Sequence, residues 1–206
     1  MHDMAYYEIA TLKTVIFGAG KASDGLQNWL AAGKGTLLGA FGTDIGTLNE
    51  VYVLRGFETL DEMMDERERA VMSDNPMGCM EHLVDLRFDS YKPFDFMAPI
   101  TPGTYGPIYE FRTYKAKLNG VSVTQDKWRG AMPARSEYSP LTMAMWGLDG
   151  APRVTQIWPY SSLEARIKAR SQSVADGKWP AKGGPDWLTP QMTSAIALPL
   201  PFSPLK

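Results

Sequence analysis

Hydrophobic and polar positions alternate over short runs, then switch to a helical period, and the switch recurs four times along the chain. From Met4 to Lys13 the β-formers Tyr6, Tyr7, Ile9 and Thr11 flank Glu8 in the opposite phase, which predicts a strand. Residues 14–24 carry glycine at 18 and 20 and read as a loop. Gly18-Ala19-Gly20-Lys21 is superficially like a phosphate loop but lacks its spacing and trailing helix signature. Ser23 or Asp24 then caps a helix with Leu26, Trp29 and Leu30 on one face, stopped by Gly33 and Gly35. A short strand at Thr36–Thr43, a turn at Asp44–Thr47 and a β-rich run at Leu48–Phe57 follow. Thr59 and Glu62 form a capping box for a second helix, in which Leu60, Met63, Met64, Arg67 and Val71 share a face. Its acidic residues from Asp61 to Glu68 read as a solvated face, and Asn75-Pro76 ends it. Leu83–Tyr91 alternates again as a fourth strand.

The order then repeats. Tyr109-Glu110-Phe111-Arg112-Thr113-Tyr114-Lys115 echoes Tyr7-Glu8-Ile9-Ala10-Thr11-Leu12-Lys13 at an offset of 102, and Ala151–Leu163 echoes Leu48–Leu60 at 103. A shared offset over two patterned blocks indicates an internal duplication. Ile108–Lys115 is a strand, and a helix starts near Thr124, with Trp128 standing where Trp29 stood and Pro133 expected to shorten or kink it. Tyr138–Leu148 and Arg153–Tyr160 are strands around an Asp149–Pro152 turn. Ser161 or Ser162 caps a helix carrying Leu163, Ile167, Arg170 and Val174, and Met192–Leu198 is the last strand before an extended tail. Each half reads β-α-β-β-α-β, the ferredoxin-like order, so the fold class is α+β with two tandem antiparallel units. The expected division is 1–100, a stiff linker over 101–107, and 108–206. A four-stranded sheet with helices on one face leaves its other face bare, and a second unit can cover it.

Composition narrows the chemistry. With 206 residues, 44% apolar content and a net charge of −2, the chain has ordinary globular proportions and can bury a core without staples. No Lys/Arg run exceeds a pair, so neither nucleic acid nor an anionic membrane is suggested. One cysteine, Cys79, and two histidines, His2 and His82, leave too few soft ligands for a thiolate cluster or a histidine-rich metal site within one chain. The apolar runs are too short to cross a membrane, and no signal-peptide pattern opens the chain, so a cytoplasmic protein without metal or other cofactor is expected.

Glu110-Phe111-Arg112-Thr113-Tyr114 resembles the opening strand of the NIPSNAP family, with its Glu-x-Arg-x-Tyr pattern. Thr43-Asp44-Ile45-Gly46-Thr47-Leu48-Asn49-Glu50-Val51 resembles that family's turn before its third strand. Trp158-Pro159-Tyr160-Ser161-Ser162-Leu163-Glu164-Ala165-Arg166 resembles its strand-to-helix junction, and Pro201–Leu205 its terminal tail. The resemblance implies ferredoxin-like units that pair sheet to sheet as a dimeric α/β barrel, closed here within one chain. It also implies a role not fixed by fold: the family includes adaptor proteins and bacterial proteins of unsettled role, and related barrels include cofactor-free monooxygenases, cyclases, isomerases and haem-dependent enzymes. The family often has a histidine two residues before the tryptophan of its third strand. This chain has Val53 and Arg55 in one half and Gln156 and Trp158 in the other, so chemistry resting on that histidine would be lost. Ala10 and Leu12 stand where the second half has Arg112 and Tyr114.

Alternation places Glu110, Arg112 and Tyr114 on one strand face and Tyr109, Phe111 and Thr113 on the other. The expectation is that the apolar set meets the helices and the polar set the barrel interior, where Gln156 and Trp158 join it. Such a pocket would offer a carboxylate, a fixed cation, a phenol and an aromatic wall to a small molecule. Glu110 and Tyr114 are the candidate proton-transfer groups, because a desolvated, incompletely paired carboxylate becomes a better base. Arg112, Gln156, Trp158, Glu8 and Arg55 are the candidate ligand contacts. The competing reading is that Glu110 and Arg112 simply neutralise each other. His82 and Cys79 read as structural. Three functions stay open: a small-molecule binder, an enzyme without metal or redox cofactor, and an interaction module. A homo-oligomer is expected wherever a sheet edge is left open.

Overall fold

The computed structural model describes residues 4–183 and 185–206, so His2 and Gly184 lie outside the described residues. Its elements run β1 (Tyr6–Thr14), α1 (Gly18–Ala31), β2 (Thr36–Ile45), β3 (Glu50–Phe57), α2 (Leu60–Val71), β4 (Leu83–Pro93), β5 (Ile108–Ala116), α3 (Gly120–Ser136), β6 (Met143–Gly147), β7 (Arg153–Tyr160), α4 (Leu163–Ala175) and β8 (Leu188–Pro199). Part of one expected loop is helix, and the third helix starts four residues earlier than expected. Gly18-Ala19-Gly20-Lys21 forms the first turn of α1, behind Phe17 in the left-handed region, and α3 likewise starts behind left-handed Asn119. These two N-caps stand at the repeat offset of 102, which pairs Leu26, not Trp29, with Trp128. Pro133 lies inside α3 without ending it. The capping of α2 is as expected: the Thr59 side chain accepts from the Glu62 amide. Ser162 accepts from the Ala165 amide and starts α4 in the same way.

The strands form a closed barrel in the order β1-β3-β2-β8-β5-β7-β6-β4. Within each half this is the ferredoxin-like arrangement, and the halves meet along two antiparallel seams. One seam pairs Phe41 with Pro199 through Ile45 with Ile196, and the other pairs Tyr91 with Gly147 through Pro93 with Met145. Closure leaves no free edge among these strands, so edge pairing gives no route to the expected oligomer.

Three cores result. The barrel interior joins both halves through Tyr7, Ile9, Phe41, Tyr109, Phe111, Met143, Met145 and Ile157. Helices α1 and α2 cover Ala10, Leu12, Val51 and Val53, and α3 and α4 cover Tyr114, Val154, Trp158 and Tyr160. The tail, expected to be merely extended, turns in. The Leu205 amide donates to Leu38 O at 3.1 Å, Ser203 Oγ accepts from the Ala40 amide at 3.0 Å, and Leu205 is fully buried in the interior core. Among the described residues no helix is long and apolar enough to cross a membrane.

Candidate functional site

The polar strand residues face the helices, not the barrel interior. In the first half Arg55 Nε and Nη2 donate to Glu8 Oε1 at 3.1 and 2.6 Å, and Arg67 Nε donates to Glu8 Oε2 at 2.7 Å. Arg55 Nη1 also reaches Glu66 Oε2 at 3.0 Å, and Arg69 Nη2 reaches the same oxygen at 2.8 Å. In the second half Glu110 Oε1 accepts from Arg112 Nη1 at 2.5 Å, Arg166 Nη2 at 2.6 Å and Ser194 Oγ at 2.7 Å. Arg112 Nε donates to Tyr114 OH at 2.7 Å, and Trp158 Nε1 donates to Gln156 Oε1 at 2.8 Å. Glu110, Arg112, Tyr114, Gln156, Trp158, Glu8 and Arg55 therefore do come together by halves, but outside the barrel wall.

The expectation that they line the interior inverts for a physical reason. Alternation defines two faces but not which one a helix covers. Tyr7, Ile9, Tyr109 and Phe111 find apolar partners across the barrel, while arginines from α2 and α4 supply the cations that buried carboxylates need. The inward faces of the helices shift accordingly. Glu66 is buried rather than solvated, whereas Leu60, Met64, Val71, Leu163, Ile167 and Val174 are exposed. Burial pushes the Glu110 carboxyl up, but hydrogen bonds from Arg166 and Ser194 and the charge of Arg112 outweigh it and hold the group at about 2. That is the opposite of the rise a general base would need. Cys79 is buried, and burial pushes its thiol up to about 11, well away from a reactive thiolate.

Space is left inside the barrel as well. One end is filled by Tyr7, Phe41, Tyr109, Ile157, Met145 and Leu205. At the other end a cavity of about 450 Å³ opens between the Thr11 end of β1 and the Thr113 end of β5. Phe111 and Tyr52, with ring centroids 5.0 Å apart, form its aromatic side. A hydroxyl chain crosses its floor: Thr113 Oγ1 and Thr155 Oγ1 lie 2.9 Å apart, and Thr155 Oγ1 donates to Tyr91 OH at 3.3 Å. The carboxylates of the wall have hydrogen-bond partners. Asp89 accepts from Arg87 Nε and Arg153 Nη2, each at 3.0 Å, and Tyr52 OH donates to Glu50 Oε2 at 3.1 Å. Burial, then the nearby Asp89 charge, raises the Tyr91 phenol above its ordinary value, and burial with the Glu50 charge does the same for Tyr52. Both are neutral donors at neutral pH.

None of the sequence-predicted site residues lines this cavity. The missed ones are Thr11, Thr113 and Thr155 on the inward phase, and Arg87, Asp89 and Tyr91 on β4. The available signal was the alternation of β4, which puts Arg87, Asp89 and Tyr91 on the phase that pairs with Thr11, Ile9 and Tyr7. The ionisable groups come from the first half. At the positions where β4 has Asp89 and Tyr91, paired to Ile9 and Tyr7, β8 has Ala195 and Ala197, paired to Phe111 and Tyr109. Among the described residues no group of three or more histidine, cysteine, aspartate or glutamate side chains is placed to hold a metal ion.

A single-chain α/β barrel of two ferredoxin-like repeats, open at one mouth, is the class that this geometry defines. The NIPSNAP family model matches residues 3–99 and 109–204, and the chain belongs to the NIPSNAP family. None of the curated proteins matches it in sequence. Among solved structures, an anthrone oxidase-like protein superposes with a TM-score of 0.65 at 10% identity, over 96% of this chain and 92% of that one. A mutant chlorite dismutase from Candidatus Nitrospira defluvii gives 0.57 at 9% identity, over 97% and 93%. An uncharacterized NIPSNAP domain protein from Burkholderia xenovorans matches at 19% identity and a TM-score of 0.42, over 46% of this chain and 96% of its own. The two full-length likenesses show the barrel fold and nothing about chemistry.

Proposed function

We propose that the barrel mouth binds a small, uncharged, partly aromatic molecule bearing hydroxyl or carbonyl groups. The observation that carries this is the unequal filling of the barrel, packed solid at one end and left as a cavity of about 450 Å³ at the other. Sites for small organic ligands have this size and this mixture of apolar wall and few polar groups. A planar ring fits the side made by Phe111, Tyr52 and Ile9, and its oxygen atoms meet Tyr91, Thr113 and Thr155. The wall favours a neutral ligand: Asp89 is ion-paired with Arg87 and with Arg153 behind it, so a charged ligand would break such a pair for the one it made, and Glu50 already accepts from Tyr52. Binding is favoured over proton-transfer catalysis by the same pairing, because both carboxylates that could act as a base are occupied.

Fluorescence titration of the full chain with 1-naphthol tests this reading, with Thr193→Trp as the comparison. Thr193 is exposed on β8 and lines the mouth, so an indole there obstructs the cavity without entering the core. Saturable binding that weakens at least tenfold in Thr193→Trp, with an unchanged Tm, is expected. Equal binding by the two proteins, or none by either, overturns the reading.

A further inference from the structure

The two halves place the same frame of strands and helices around one strand carboxylate each, and they balance its charge differently. Around Glu8, the guanidinium groups of Arg55, Arg67 and Arg69 face three carboxylates: Glu8, Glu66, and Asp149 at 3.6 Å from Arg67. Around Glu110 the count is four to one. Arg112 and Arg166 bond Glu110 Oε1, Arg170 Nη1 stands 3.9 Å from Oε2, and Arg135 stacks over Trp158 at 4.3 Å. Repeat positions show how the surplus arose. Arg112 replaces Ala10, Arg166 replaces Met63, Arg135 replaces Gly33, and Ala169 stands where the first half has the carboxylate of Glu66. Arg55 becomes Trp158 and Arg69 becomes Gln172, so three cations enter, two leave, and one carboxylate is lost.

Buried cations without counter-charges are costly, and this site has further unmet bonding. Arg135 is 2% exposed, and among the described residues no carboxylate pairs with it. Its Nη1 has no hydrogen-bond partner, and neither do Arg166 Nε and Glu110 Oε2, while Tyr160 OH stands against the Arg135 guanidinium. The cluster is not sealed: the side chains of Arg166 and Arg170 are 23% and 34% exposed, which gives an approach from the α4 side.

We propose that the arginine cluster held by α3, α4 and the outer face of β5 binds a phosphoryl group. Guanidinium forks suit its planar sets of oxygens, and a dianion offsets most of a threefold positive surplus where a single carboxylate would leave the larger part. Arg135, Arg166 and Arg170 supply the donors, and Tyr160 OH a further one. Glu110 holds Arg112 and Arg166 in place and keeps the site from being still more positive. The site is separate from the barrel mouth and lies on the other side of the sheet, so it holds whether or not the mouth takes a ligand.

The test is isothermal titration of the full chain with inorganic phosphate at low chloride, with acetate as a second arm. Expected is saturable phosphate binding, at least tenfold weaker in Arg135→Met, which keeps the stacked bulk over Trp158, and in Arg170→Ala, which is a partly exposed change. Lys34→Ala, an exposed cation on the first half, should leave it unchanged. Glu110→Gln should tighten it severalfold, because the one competing negative charge is gone; a purely structural cluster predicts no such gain. Absence of phosphate binding by the unsubstituted chain overturns the proposal. So does binding that survives both Arg135→Met and Arg170→Ala, or that falls equally in Lys34→Ala. Acetate binding as tight as phosphate, with the same dependence on the arginines, refutes the phosphoryl assignment.

Discussion

Glu110 gives the sharpest quantitative expectation, because its ionisation is tied to folding. Its carboxyl falls from an ordinary 4.5 to about 2 in the folded protein. A shift of that size is worth about 3 kcal/mol at ~1.4 kcal/mol per unit. The folded value is the depressed one, so this stabilisation is fully present above pH 4.5 and is lost as pH falls through 2. Glu110→Gln removes it at every pH. Protonation of Glu110, like the glutamine, leaves Arg112, Arg166 and Arg170 without their counter-charge, so the two proteins converge as the carboxyl titrates. The difference in unfolding free energy between the two proteins should therefore be flat from pH 7 to pH 5 and then shrink. Between pH 4.5 and 3.5 it should narrow by about 1 kcal/mol. Urea unfolding followed by tryptophan fluorescence, at constant ionic strength, measures this. A gap that stays constant from pH 7 to 3.5 would show that arginine pairing does not hold Glu110 ionised, and the assignment of the buried cluster would fall with it.

Three further outcomes follow from single contacts. Leu205→Ala empties the closed end of the barrel and should lower stability by about 3 kcal/mol in chemical denaturation, the cost of a buried leucine cavity; a loss below ~1 kcal/mol would mean the tail is not a floor. Ser162→Ala removes the side chain that accepts from the Ala165 amide and should cost about 1 kcal/mol, with circular dichroism reporting a weakened α4. Cys79, buried and held near 11, should label with a thiol-specific disulfide reagent at pH 8 only as fast as the protein unfolds; immediate labelling in the absence of denaturant would contradict that placement.

The fold was legible because its signals are local or periodic. Strand alternation, the Thr59 capping box and the 102-residue echo each survive in one dimension, and together they define two ferredoxin-like units. The candidate site was less legible, and Glu110 shows why. Its phase with Arg112 and Tyr114 is written in the strand, but the direction of that face depends on what α4 carries. Arg166 and Arg170 reach Glu110 from 56 and 60 positions away, and only packing brings them there. The expected faces of α2 and α4 hold only in part: Met63, Arg67 and Arg170 turn inward as expected, but their other apolar members do not. A helix that covers a charged strand face turns Glu66, Arg67 and Arg170 inward and leaves Leu60, Ile167 and Val174 outward. The left-handed starts of α1 and α3 were illegible as well, since Phe17 and Asn119 replace the side-chain caps that mark a helix start.

Duplication makes each half a control for the other, and the comparison divides the chemistry between two places. On the inward phase the first half contributes Tyr52, Arg87, Asp89 and Tyr91, while the second contributes Thr113, Thr155, Thr193 and Ala195. On the outward phase the asymmetry reverses: Glu8 sits in a balanced set of ion pairs, and Glu110 sits among a surplus of arginines. Glu66 and both of its cation partners, Arg55 and Arg69, are absent together in the second half, as Ala169, Trp158 and Gln172, so that set is exchanged whole; what stands uncompensated is the presence of Arg112, Arg135 and Arg166 beside one carboxylate. Those added arginines are explained if the missing negative charge arrives with a ligand. The closed barrel makes that arrangement tolerable. With both seams paired, the two helix-covered faces carry different chemistry on the same frame.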